Sequence, residues 1–130
     1  MSTTSTGIRQ ISLICVPTPD QDRAIEFYES LGFEKRTDMP FGGRYRWVEV
    51  YPPEGETGIA LAPPPPQGGD VTPMQTGITL VTEDIDTTHA EFQSRGVDVD
   101  AEVSRMGDPV PPMFWFRDPT GHTLMVVEQR

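Results

Sequence analysis

Glu49 lies in the run Arg46-Trp47-Val48-Glu49-Val50-Tyr51, where large and small side chains alternate. In an extended strand successive side chains point to opposite faces. Trp47, Glu49 and Tyr51 therefore share one face, and Arg46, Val48 and Val50 share the other. A carboxylate between two aromatic rings can attract a positive group while the rings stack on a flat one. The same carboxylate is the candidate catalytic base. A second run, Met113-Phe114-Trp115-Phe116, sets Met113 and Trp115 against Phe114 and Phe116. Val48, Val50, Phe114 and Phe116 form the more uniformly apolar set and are assigned to the core. Trp47, Glu49, Met113 and Trp115 are assigned to the face open to a ligand.

The remaining reactive residue types are few. His122 begins the last strand-like run and is a candidate ligand contact or base, with turn capping as the alternative. His89 falls on a helical pattern near Phe92 and is expected to face solvent or to be half-packed. Cys15 sits inside an apolar run and is expected to be a buried small hydrophobe. As the single cysteine it cannot form an intramolecular disulfide, which suits a reducing cytoplasm. The sequence contains no nucleophile–base–orienter set, no glycine-rich phosphate loop, no zinc-type Cys/His spacing and no serine-centred elbow.

The elements that must position these residues come as a repeat. Asp20-Gln21-Asp22 and Asp84-Ile85-Asp86 each follow an apolar run and open a helical pattern, which Gly32-Phe33 and Gly96-Val97 close at the same offset. Asp20 is a good N-cap, with Ala24, Phe27, Tyr28 and Leu31 on one face; Asp84 or Asp86 caps a second helix reaching Arg95. Strands are expected over Ile11 to Val16, Phe33 to Asp38, Arg44 to Tyr51 and Thr57 to Ala62. In the second half they are expected over Gly77 to Thr82, Val97 to Val103, Met113 to Arg117 and Thr123 to Glu128. The turn Tyr51-Pro52-Pro53-Glu54-Gly55 answers Arg117-Asp118-Pro119-Thr120-Gly121. Each half thus reads β-α-β-β-β, giving an α+β fold of two tandem βαβββ modules that form a cleft. Residues 1–7 are expected to be a disordered tail and 8–130 one domain. Within it, module one covers 8–63, a proline- and glycine-rich linker 64–74, and module two 75–130.

Asp20-Gln21-Asp22-Arg23-Ala24-Ile25-Glu26-Phe27-Tyr28 with Leu31-Gly32-Phe33, and the closing Phe116-Arg117-Asp118-Pro119-Thr120-Gly121-His122, resemble the vicinal oxygen chelate superfamily of glyoxalases, bleomycin-resistance proteins and dioxygenases. Enzymes of that superfamily hold a divalent metal on the first and fourth strands of each module. Matching the motifs places those positions at Leu13, Ala60, Gly77 and Met125. Leucine, alanine and glycine side chains carry no donor, and a thioether is too soft for magnesium, manganese or zinc. The resemblance therefore implies a protein without a metal or other cofactor, which binds or sequesters a small organic molecule, cationic or aromatic, as a homodimer. The alternatives are a metal-dependent lyase or dioxygenase with displaced ligands such as Glu49 and His122, or a metal-free isomerase using Glu49.

Bulk composition narrows the partners further. The 130 residues carry 10 Lys and Arg against 20 Asp and Glu, a net charge of −10. The basic residues are scattered, so no nucleic-acid footprint is present. The acidic field favours cationic small molecules. No stretch approaches the roughly 20 apolar residues of a membrane helix. A cytoplasmic location without membrane partners is expected.

Overall fold

The computed structural model describes residues 6–42, 45–63 and 71–129. Strand β1 spans Leu13–Pro17, helix α1 Gln21–Ser30, and strands β2 to β4 span Glu34–Phe41, Tyr45–Tyr51 and Gly58–Ala62. The second half supplies β5 (Gln75–Thr82), α2 (Ile85–Ser94), β6 (Asp98–Val99), β7 (Met113–Arg117) and β8 (Thr123–Glu128). Two four-stranded sheets result, ordered β1-β4-β3-β2 and β5-β8-β7-β6. In each, the first strand runs parallel to the fourth and the others are antiparallel. The fold is α+β, with the expected element order in both halves. The expected tail falls largely, and the linker partly, on residues outside those described.

Local chemistry explains the helix limits. The Asp20 carboxylate accepts from Arg23 N at 3.0 Å, and the Asp84 carboxylate accepts from Thr87 N at 3.1 Å, each satisfying a first-turn amide. Gly32 and Gly96 follow the helices at φ +98° and +75°, a backbone region that side chains other than glycine adopt only with strain.

Strand β2 runs past the expected Asp38 to Phe41, and the region of β6 departs further. Val97 to Val103 is not a continuous strand: only Asp98 and Val99 pair with β7, followed by an isolated bridge from Ser104 to Met113. Asp100 N still donates to Trp115 O, but the Asp100 carbonyl faces the His89 ring on α2 at 2.7 Å, so the ladder ends there. His89 is correspondingly buried, edge-on to Phe114 at 4.9 Å, rather than facing solvent.

The core is shared between the halves. Val16, Tyr28, Val48, Val50 and Ile59 from the first belong to one apolar cluster with Ile78, Phe92, Phe114, Phe116 and Val126 from the second. Phe27 on α1 packs 6.3 Å from Phe116, which in turn meets Phe92 on α2. The halves therefore dock through their helix-covered sides. The opposite face of each sheet is turned away from this common core.

Candidate functional site

Strand β3 brings Trp47, Glu49 and Tyr51 together on the open face of the first sheet. Each is half-buried, whereas Val48 and Val50 between them are fully buried against α1. Trp47 Nε1 donates to Glu49 Oε2 at 2.7 Å, and the Tyr51 hydroxyl donates to Glu49 Oε1 at 2.7 Å. Both carboxylate oxygens are thus oriented from neighbours on the same strand. The bond to Glu49 raises the Tyr51 phenol above its ordinary 10.0, so Tyr51 stays a donor at neutral pH.

Tyr51 is itself wedged. The Arg36 guanidinium lies 4.5 Å from its ring centroid and is held by the carbonyls of Pro52, Pro53 and Gly55. Across from it runs Gly58 on β4, where a Cβ would come within 2.7 Å of the ring. Thr37, Glu49, Ala60 and Cys15 form one row across β2, β3, β4 and β1. Cys15 is exposed, not buried as expected: alternation along β1 gives the core to Ile14 and Val16 and turns Cys15 to the open face.

On the second sheet, Met113 and Trp115 are half-buried, while Phe114 and Phe116 are fully buried. Trp115 pairs with Met125 on β8, and Met125 pairs with Thr79 on β5. Arg117, next on this face, has its guanidinium engaged by Asp98 and Asp100 at 2.9 and 2.8 Å. The two groups of candidate residues therefore occupy different sheets.

His122 does not join them. It is fully buried; Met74 N donates to its Nδ1 at 3.1 Å, and its Nε2 lies 2.7 Å from Pro17 O. A neutral ring with its proton on Nε2 satisfies both contacts. Beside it Asp118 accepts from His122 N, Thr120 N and the Tyr28 hydroxyl, tying the two halves together. Burial, then the Asp118 charge, push the Tyr28 phenol well above its ordinary range. Glu49 and His122 are therefore not brought together as a displaced ligand pair.

Sequence reasoning missed a cavity of about 560 Å³ between the halves, on their core side. Ile14, Phe33, Ile59, Ile78, Leu80 and Phe92 are among its walls. Trp47, Glu49, Met113, Trp115 and His122 do not line it, whereas Gly77, one of the four positions matched to metal ligands, does.

A family model for the Glyoxalase/Bleomycin resistance protein/Dioxygenase superfamily matches residues 10–126. The chain belongs to this superfamily. Among curated relatives, the uncharacterized protein YetH of Bacillus subtilis (strain 168) is 30% identical over 122 residues, covering 93% of this chain and 99% of YetH. A superfamily member from Sphaerobacter thermophilus DSM 20745 superposes with TM-score 0.83 at 33% identity, over 94% of this chain and 98% of that one. TnmS3, an antibiotic binding protein from Streptomyces sp. CB03234, superposes with TM-score 0.79 at 31% identity, over 97% of this chain and 100% of that one. The positions that the superfamily resemblance equates with metal ligands divide between the sheets. Leu13 and Ala60 lie on β1 and β4, Gly77 at the irregular start of β5 and Met125 on β8. Among the described residues no group of three or more His, Cys, Asp or Glu could hold a metal ion.

Proposed function

We propose that this protein binds and sequesters a small, flat organic molecule, without a metal, in clefts built from the two open sheet faces. The observation that carries this reading is the Trp47–Glu49–Tyr51 arrangement: an oriented carboxylate between aromatic rings, half-exposed on a sheet face that the chain's own core does not cover. Trp47, Trp115 and Met113 supply stacking walls, and Glu49 attracts a positive group. Leu13, Ala60, Gly77 and Met125 do not fit a divalent ion, since none offers a nitrogen or oxygen side-chain donor. No catalytic step through a metal is therefore proposed. The antibiotic-binding description of TnmS3 supports a binding role for a similar chain.

The same reading takes the protein as a homodimer. The half-sites of one chain lie on separate sheets, so a second copy is needed to set one against the other. Strands β1 and β5 each stand at a sheet edge, with Ile11 71% and Val81 57% exposed beside them, the kind of edge that a second chain covers.

Trp115→Ala tests the reading. Loss of one stacking wall should weaken binding of an aromatic cation about tenfold, measured by calorimetry, while circular dichroism and the sedimentation coefficient stay as in the parent. Unchanged affinity would remove the second half-site from the cleft.

A further inference from the structure

Beyond Glu49, the open face of the first sheet continues along the β2–β3 hairpin. Met39 stands directly opposite Trp47 and Phe41 opposite Tyr45, so all four side chains share the Glu49 face. Phe41 packs 5.6 Å from Tyr45 and 6.4 Å from Trp47, yet Met39 is 61% and Phe41 44% exposed. Large apolar side chains gathered on one exposed surface are a feature that calls for a ligand or partner.

The two ends of this face are chemically different. At one end Arg36 covers Tyr51, and Tyr51 leans on Gly58, so that end is closed. Trp47 has its indole N–H committed to Glu49, which leaves its ring face rather than its edge for contact. The other end opens toward Phe41 and Tyr45. From Glu49 to Tyr45 the strand rises about 13 Å, the length of a linearly fused polycycle.

We propose that the Met39–Phe41–Tyr45–Trp47 surface is an aromatic platform selecting an elongated polycyclic ligand, its positive charge at Glu49 and its fused rings running toward Phe41 and Tyr45. This rests on the proposed binding function and specifies the ligand class. Charge complementarity argues for such an occupant over a second protein face: the platform ends on an oriented carboxylate in a chain of net charge −10.

The test uses three probes on the full chain: aminoacridine (a tricycle protonated on its ring nitrogen), acridone (its uncharged counterpart) and benzylamine (a cation with one ring). Aminoacridine should bind about tenfold more tightly than either of the others. Glu49→Gln should erase its advantage over acridone. Phe41→Ser should erase most of its advantage over benzylamine while leaving benzylamine unchanged. Because Phe41 is 44% exposed, that variant should stay folded, its midpoint lowered only slightly by the lost cross-strand contacts, and Met39→Ser supplies a second probe of the same surface. Equal affinity for all three probes, or an unaltered ranking in both platform variants, would overturn the platform. If Trp115→Ala still weakened every probe in that case, the binding function would stand without it. If no probe bound the parent protein, both readings would fall. Conversion to a monomer by Phe41→Ser would make the hairpin tip a chain–chain contact and would also overturn the proposal.

Discussion

At the scale of single residues, the position of Tyr51 beside Glu49 depends on the missing side chain of Gly58. A Cβ there would lie 2.7 Å from the Tyr51 ring, over which the Arg36 guanidinium also packs. Gly58→Ala should therefore cost about 1–3 kcal/mol of stability, read from the denaturant midpoint, and should loosen the Tyr51–Glu49 bond. Combining it with Tyr51→Ala should recover much of the loss; a single variant with the parent's midpoint would contradict the wedge. The sharing of a face by Trp47, Glu49 and Tyr51 was legible in the sequence, since strict alternation admits one arrangement. Their mutual hydrogen bonds and the demand on Gly58 were not, because both depend on rotamers and on a neighbouring strand. For His122 a signal was available: it shares parity with Leu124 and Val126, which are buried in the core as it is. Its polarity suggested a ligand contact, but Met74 and Pro17 satisfy both nitrogens inside the protein.

At the scale of elements, the first half is braced by Arg46, which joins β3 to Asp38 on β2 and to Asp22 on α1, each at 2.7 Å. The Arg46 guanidinium, followed by the Lys35 ammonium, lowers the Asp38 carboxyl from 3.8 to about 2. A carboxyl held below its unfolded value stabilises the fold above that value and loses the effect as pH falls through the folded one. Asp38→Asn should therefore flatten the fall in stability between about pH 4 and 2. The effect should be on the order of 1 kcal/mol, since the pair is partly exposed. Chemical denaturation across that range checks it, and an acid limb identical to the parent's would contradict it. The helices were readable from their caps because Asp20, Asp84, Gly32 and Gly96 act locally. The shortness of β6 was not: it follows from the Asp100 carbonyl turning to His89, a contact to a separate helix.

At the scale of the whole molecule, the duplicated element order could be read from repeated motifs, but the docking of the halves could not. The contacts that fix it join Tyr28 to Asp118 and His122 to Pro17, 90 and 105 residues apart, and alternation within a strand carries no information about them. That docking buries the helix-covered sides together and leaves the faces bearing Trp47 and Trp115 turned away from the core on separate sheets. On the proposed function, these surfaces bind an organic ligand without a metal. Calorimetric titration of aminoacridine into protein held in EDTA, repeated after adding nickel, zinc or manganese, tests it most directly. Saturable binding at one ligand per chain is expected in EDTA, with the same affinity when metal is supplied. Binding that appears only on adding a stoichiometric metal would contradict it.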